Sequence, residues 1–173
     1  EADLVSNSRF DLPSPRTAIP SALLKHQIYP SLLFHGPTFQ ADFVFYEFSR
    51  QNLIVELSDF TCENQSLGRY NHKQSIPIVL FDLLLQTAGL HQLAFSDKYG
   101  LPTFCKQLLV NENQPDCNRV FVKTSFFRED QTYNISANAK NGRPLLSCAG
   151  LRFTPSNREI DTNTKILLEN LVK

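Results

Sequence analysis

The apolar run Ser75–Phe95, SIPIVLFDLLLQTAGLHQLAF, constrains the fold of this chain more than any other stretch. It holds one formal charge, the carboxylate of Asp82. An ionised carboxylate left without partners in apolar surroundings costs several kcal/mol, so a chain that keeps one there pairs it, protonates it or uses it. On a helix Gln86 stacks over Asp82 on the same face, and Gly89 follows one turn further on. Ser75 with Pro77 predicts a helix start, and Gly100 with Pro102 a stop. The run is about long enough to cross a membrane. Asp82, Gln86, His91 and Gln92 interrupt it, however, and the sequence has no second such segment. The expectation is the buried central helix of a soluble domain.

The flanking segments change to period two. Phe43, Phe45 and Phe48 mark one strand, and Asn52 to Phe60 (NLIVELSDF) its hairpin partner. A polar loop, Glu63 to Gln74, leads into the helix. Beyond it, Thr103 to Val110 is a strand candidate, the loop NENQPDCN follows, and Arg119 to Phe127 alternates again. Thr132 to Ala139 and Pro144 to Phe153 are joined through Asn141-Gly142, the strongest short hairpin signal in the chain. A short helical turn is expected within Ser21 to Ile28, and a helix or linker over Asp161 to Leu171.

One long apolar helix among antiparallel strands predicts an α+β fold. The sheet must cover its apolar face, and a single buried helix can do that. A sheet wrapped around a helix in this way is a hotdog. Expected boundaries are residues 25–156 for this domain and 157–173 for a C-terminal helix or linker. Residues 1–24, with Pro13, Pro15 and Pro20, suggest a linker or the tail of a preceding domain. The first residue is Glu, which points to a processed form or a fragment.

A chain of 173 residues has enough apolar content for one core. Lys+Arg and Asp+Glu balance at 17 each, so no net field draws the chain toward nucleic acid or an anionic membrane. Cys62, Cys105, Cys117 and Cys148 form no CxxC pair, which excludes the usual metal-ligand spacing and predicts reduced thiols in a cytoplasmic protein. No metal and no cofactor is expected. Asn64-Gln65-Ser66 and Asn134-Ile135-Ser136 match the glycosylation pattern, which is common by chance.

Three segments carry a resemblance: LFHGPTFQ (Leu33 to Gln40), IPIVLFDLLLQ (Ile76 to Gln86) and YGLPTFCKQLLV (Tyr99 to Val110). Together with the Asn141-Gly142 turn and GLRFTP (Gly150 to Pro155), they resemble the C-terminal hotdog of polyketide synthase dehydratase domains. The LFHGP spelling is similar to the iterative systems, the enediyne-type and polyunsaturated-fatty-acid synthases. The resemblance spans about residues 29–155. It implies that Asp82 protonates the leaving 3-hydroxyl of an acyl chain and that Gln86 orients Asp82 or that hydroxyl. It also implies that His35, Gly36, Pro37 and Phe39 border the substrate. The implied partners are an acyl carrier protein presenting a phosphopantetheine-linked acyl chain and a second hotdog, either a copy of this one or one preceding it in the same polypeptide.

The family's base is a histidine in an HxxxGxxxxP motif on the N-terminal hotdog, and this sequence has no such motif. His72 stands too close to Pro77 and lacks the glycine, while His35 belongs to the HGP segment. The resemblance therefore implies the acid-bearing half of a dehydratase, with its base supplied from outside. A hotdog that binds acyl chains or scaffolds a synthase without catalysis stays open, as does a hotdog thioesterase. An HxxxGxxxxP motif just before Glu1 would favour the first of these.

For single residues the plainer alternatives also stand. Asp82 could be structural, Gln86 a surface amide, and His35 a histidine that fixes the Gly36-Pro37 turn. His26 and His72 read as loop residues. His91 falls on the far side of the helix from Asp82. Phe34, Phe39, Phe43 and Phe45 could line an acyl tunnel or simply pack the core.

Overall fold

The computed structural model describes residues 10–14, 28–29, 32–33, 35–60, 78–96, 98–111 and 119–172. Several expectations lie outside them: the helix start at Ser75–Pro77, most of the Ser21–Ile28 turn, the loop 63–74 and most of the loop after Val110. Pro15, Pro20, His26, Phe34, Cys62, Asn64, His72 and Cys117 lie outside them as well.

Strands β1 (Asp42–Phe48) and β2 (Asn52–Ser58) form the first hairpin. Helix α1 (Ile78–Phe95) follows, then β3 (Lys98–Phe104), β4 (Gln107–Val110), β5 (Arg119–Phe127), β6 (Thr132–Ala139), β7 (Pro144–Glu159) and helix α2 (Thr162–Leu171). The sheet runs β1-β2-β5-β6-β7-β3, with β4 also paired to β7, and every pairing is antiparallel. The fold is an α+β hotdog, a curled antiparallel sheet with α1 against its inner face.

Period two places alternate side chains inward. Phe43 and Phe45, then Leu53, Val55 and Leu57, then Val120 and Val122, then Ile135, Ala137 and Ala139 are all buried. Leu80, Leu83, Leu84 and Leu90 of α1 complete the same core. Among the described residues α1 is the one helix long and apolar enough to cross a membrane, and more than half of it is buried within the domain. Ile160 and Leu168 join this core too, so the end of β7 and α2 pack onto the hotdog.

Two local expectations are corrected. Gly100 and Pro102 do not stop the helix, which ends at Phe95; they lie within β3. The turn is made instead by Ser96, whose hydroxyl donates to the Lys98 carbonyl (2.6 Å) and accepts from Gln92 (2.7 Å). Pro102 is tolerated because β3 is an edge strand, where a missing N–H breaks no ladder. The Thr103–Val110 segment is two strands rather than one. Opposite the break, Gly150 takes a left-handed φ of +65°, and a Cβ there would meet Lys106 Cβ at 2.8 Å. At that bend β7 changes partner, from β4 at Leu146–Ala149 to β3 from Arg152 onward. The Asn141-Gly142 hairpin is as expected, with Gly142 at φ 79°.

Cys105 and Cys148, which no spacing rule brings together, meet with their sulfurs 2.9 Å apart as free thiols. Burial pushes the Cys148 thiol well above its ordinary range, and contact with Cys105 adds to this.

His91 sits among the rings of Phe48, Phe95, Phe126 and Tyr133. Its Nε2 lies 2.8 Å from the Ser49 carbonyl, which can only accept, so the proton is on Nε2. Burial lowers its pKa below the ordinary 6.5, with the Ser49 carbonyl partly offsetting this. The unfolded chain thus takes up a proton on this ring more readily than the folded one. The stability from a neutral His91 is complete above pH 6.5 and is lost as pH falls below it. The urea midpoint is expected to fall between about pH 7.5 and about pH 5, and to fall less in His91→Leu. Equal pH slopes in the two proteins would contradict this.

Candidate active site

Asp82 lies in the second turn of α1, and its side chain is 27% exposed. The helical spacing brings Gln86 Nε2 to 2.6 Å from Asp82 Oδ2, as four-residue stacking requires. The same nitrogen donates to the Phe39 carbonyl at 2.7 Å. That carbonyl can only accept, so the amide orientation of Gln86 is decided and both of its N–H groups are committed. Gln86 is 2% exposed, so it is not the surface amide of the plainer reading.

Tyr29 completes the arrangement. Its hydroxyl donates to Gln86 Oε1 at 2.6 Å and accepts from the Ala41 N–H at 3.4 Å. Burial pushes this phenol far above its ordinary range, and the charges of Asp82 and Asp42 push the same way. It therefore stays protonated as a donor. The result is a directional chain, Ala41 N–H to Tyr29 to Gln86, which ends on Asp82. Sequence reasoning assigned Tyr29 no role. The available signal was a tyrosine in the apolar run IYPSLLF, since a buried phenol needs a polar partner.

The segment 35–40 reaches the same place from the other side. A single 3-10 turn, Pro37–Phe39, begins at Gly36 and is closed by the Phe39 N–H on the Gly36 carbonyl (2.9 Å). The Gln40 side chain donates to the His35 carbonyl at 2.8 Å and ties down the start of the turn. His35 Nε2 then stands 3.6 Å from Asp82 Oδ2, with the imidazole 26% exposed. Gly36 and Pro37 are exposed at the rim, and Phe39 is partly buried against the core. Phe39 contributes its carbonyl to the Gln86 amide. Phe43 and Phe45 are core residues, with rings stacked 6.0 Å apart. His91 bonds to Ser49 and stays apart from the site.

The fold thus brings together Asp82, Gln86, His35 and the Pro37–Phe39 turn, and adds Tyr29. Among the described residues no cluster of His, Cys, Asp and Glu could hold a metal ion.

No family model and no curated protein matches this chain. Solved structures do. The dehydratase domain from the CurK module of curacin polyketide synthase is 18% identical with a TM-score of 0.58, over 82% of this chain and 50% of that one. The dehydratase domain from the CurF module is 17% identical with a TM-score of 0.64, over 88% and 54%. The fold is the hotdog of polyketide synthase dehydratase domains. A dehydratase structure from work on the borrelidin and fluvirucin polyketide synthases is 20% identical with a TM-score of 0.57, over 84% and 52%. The matches also include two inactive CurK dehydratases, one with an aspartate changed to asparagine and one with a histidine changed to phenylalanine. The chain spans about half the length of the dehydratase domains it matches.

Proposed function

We propose that this chain is the acid-bearing hotdog half of a 3-hydroxyacyl-[acyl carrier protein] dehydratase, a lyase of polyketide or fatty-acid-like biosynthesis. The observation that carries this reading is Asp82 itself. It is a partly exposed carboxyl on the central helix, oriented by an amide whose other hydrogen bonds are all taken.

Removing water from a 3-hydroxyacyl thioester means expelling hydroxide, a poor leaving group, and Asp82 supplies the proton that makes it water. Gln86 has no N–H left for a substrate hydroxyl, so its role is to aim the carboxyl, and Tyr29 aims Gln86. His35, Gly36, Pro37 and Phe39 form the rim along which the acyl chain lies. The domain bounds follow the same reading, with the hotdog at about residues 25–156, a C-terminal helix or linker over 157–173, and a linker or the tail of a preceding domain over 1–24. The substrate arrives on the phosphopantetheine arm of an acyl carrier protein, in the cytoplasm. The balance of charge, 17 against 17, supports a reading without nucleic acid or membrane as partner.

The reading is tested by giving the intact protein a 3-hydroxyacyl carrier protein and following the enoyl thioester by its ultraviolet absorbance. A folded protein that forms none would overturn it. Gln86→Leu should lower kcat more than it changes KM, because the carboxyl loses its aim rather than its proton. It should also cost roughly 1–3 kcal/mol of stability, since the buried Tyr29 O–H loses its acceptor and the Phe39 carbonyl loses the Gln86 N–H. Unchanged kcat and unchanged denaturation midpoint would remove Gln86 from the site.

A second hotdog is the other partner. The sheet ends in edge strands β1 and β3, and β3 exposes Leu101 and Phe104, each about half exposed. Sedimentation is expected to show either a dimer or a stable pairing with another hotdog of the same protein. A monomer that shows neither would count against this.

A further inference from the structure

We infer that Cys105 and Cys148 are a redox-responsive pair, which a small-molecule disulfide converts reversibly into a covalent clasp on the β3–β4 edge of the sheet. The inference is independent of the dehydratase reading. The two residues stand 43 positions apart in the chain, and the fold sets their sulfurs 2.9 Å apart as free thiols. A disulfide bond is about 2.05 Å long, so the sulfurs need to close by only about 0.9 Å.

The pair sits where the sheet edge is broken. Cys105 falls between β3 and β4, and Cys148 lies in β7 just before the Gly150 bend, where β7 passes from β4 to β3. In the reduced protein the Lys106 N–H holds this break to β7 through the Ala149 carbonyl, at 3.1 Å. A disulfide beside that bond would keep both edge strands seated on β7.

The two thiols are not equivalent. Cys148 is 1% exposed, whereas Cys105 is only partly buried. Cys105 donates its S–H to the Gln107 carbonyl at 3.2 Å, which leaves its sulfur lone pairs for the Cys148 S–H. Burial also keeps the Cys148 thiol protonated. Cys105 is therefore the sulfur that meets an oxidant from solution, and Cys148 the one that completes the bridge.

The oxidant is a small-molecule disulfide, for which glutathione disulfide is the probe. Cys105 gives up its proton and attacks one glutathione sulfur. The S–S bond of the oxidant breaks, and the first glutathione leaves and takes a proton. Cys148 then gives up its proton and attacks the Cys105 sulfur of the mixed disulfide, and the second glutathione leaves as its thiol. Two protein thiols are oxidised to one disulfide, and one glutathione disulfide is reduced to two thiols.

The test is to reduce the intact protein, equilibrate it in glutathione buffers of rising oxidised fraction, quench with acid, alkylate and map the peptides by mass. The wild type should lose two alkylatable thiols together, with the peptides of Cys105 and Cys148 joined, and dithiothreitol should restore both. The bridged form should melt roughly 4–16 °C above the reduced one, because the bond closes a long loop. Cys148→Ser should stop at one glutathione on Cys105, and Cys105→Ser should leave Cys148 unmodified. A wild type that keeps both thiols, or that stops at a glutathione adduct on Cys105, overturns the inference without any variant. So does a bridge from either residue to Cys62 or Cys117. Glutathione on Cys148 in folded Cys105→Ser overturns the assignment of Cys105 as the entry thiol. A bridged form that melts no higher than the reduced one overturns the clasp.

Discussion

Replacing Asp82 with asparagine in the intact protein is expected to lower dehydration turnover by roughly 10²–10⁴, the usual worth of a general acid. Asparagine keeps the shape of the side chain, and its carbonyl oxygen can still accept the Gln86 N–H that reaches Asp82 Oδ2 at 2.6 Å. The Tyr29–Gln86–Phe39 bonds are untouched. What disappears is the transferable proton. The loss should therefore fall on kcat, with KM little changed and a denaturation midpoint within about 1 kcal/mol of the wild type. Equal turnover in the two proteins would exclude Asp82 as the acid and favour a hotdog kept for binding or scaffolding.

The second large effect is on folding. Phe45 is fully buried and stacks on Phe43 at 6.0 Å and on Phe48 at 5.8 Å. Phe45→Ala removes the middle ring of this row and leaves a cavity beneath the inner face of the sheet. The expected cost is roughly 3–5 kcal/mol. For a domain of this size that lowers the melting temperature by roughly 6–20 °C. Calorimetry showing a shift of only a degree or two would mean that the core closes over the gap, or that Phe45 is less central than its burial indicates.

Asp82 with Gln86 was legible in the sequence because the link is local: the helix repeat alone puts one above the other. The strands were legible for a similar reason, since alternation in NLIVELS or RVFVKTSFF states which residues face inward. Tyr29 and His35 were not legible as partners of the helix. Tyr29 meets Gln86 across 57 positions, and its register against α1 is set by packing that no local pattern encodes. The same holds for Cys105 and Cys148, 43 positions apart, which meet only because β4 pairs with β7. The error at Gly100 and Pro102 has a different origin. Both are helix breakers, but an edge strand accommodates them equally well, and sequence alone does not say where the sheet ends. Likewise the split between β3 and β4 follows from the bend at Gly150, on a strand far along the chain.

The central claim is that Asp82 serves in removing water from an acyl chain, and the mass of the carrier protein tests it most directly. After a single turnover with the intact wild-type protein, a 3-hydroxyacyl carrier protein should lose the mass of one water and keep its acyl chain. With Asp82→Asn it should keep its hydroxyl. Loss of the whole acyl chain would mean thioester hydrolysis, with the carboxylate activating water instead. That result, or an unchanged mass with folded wild-type protein, would contradict the account.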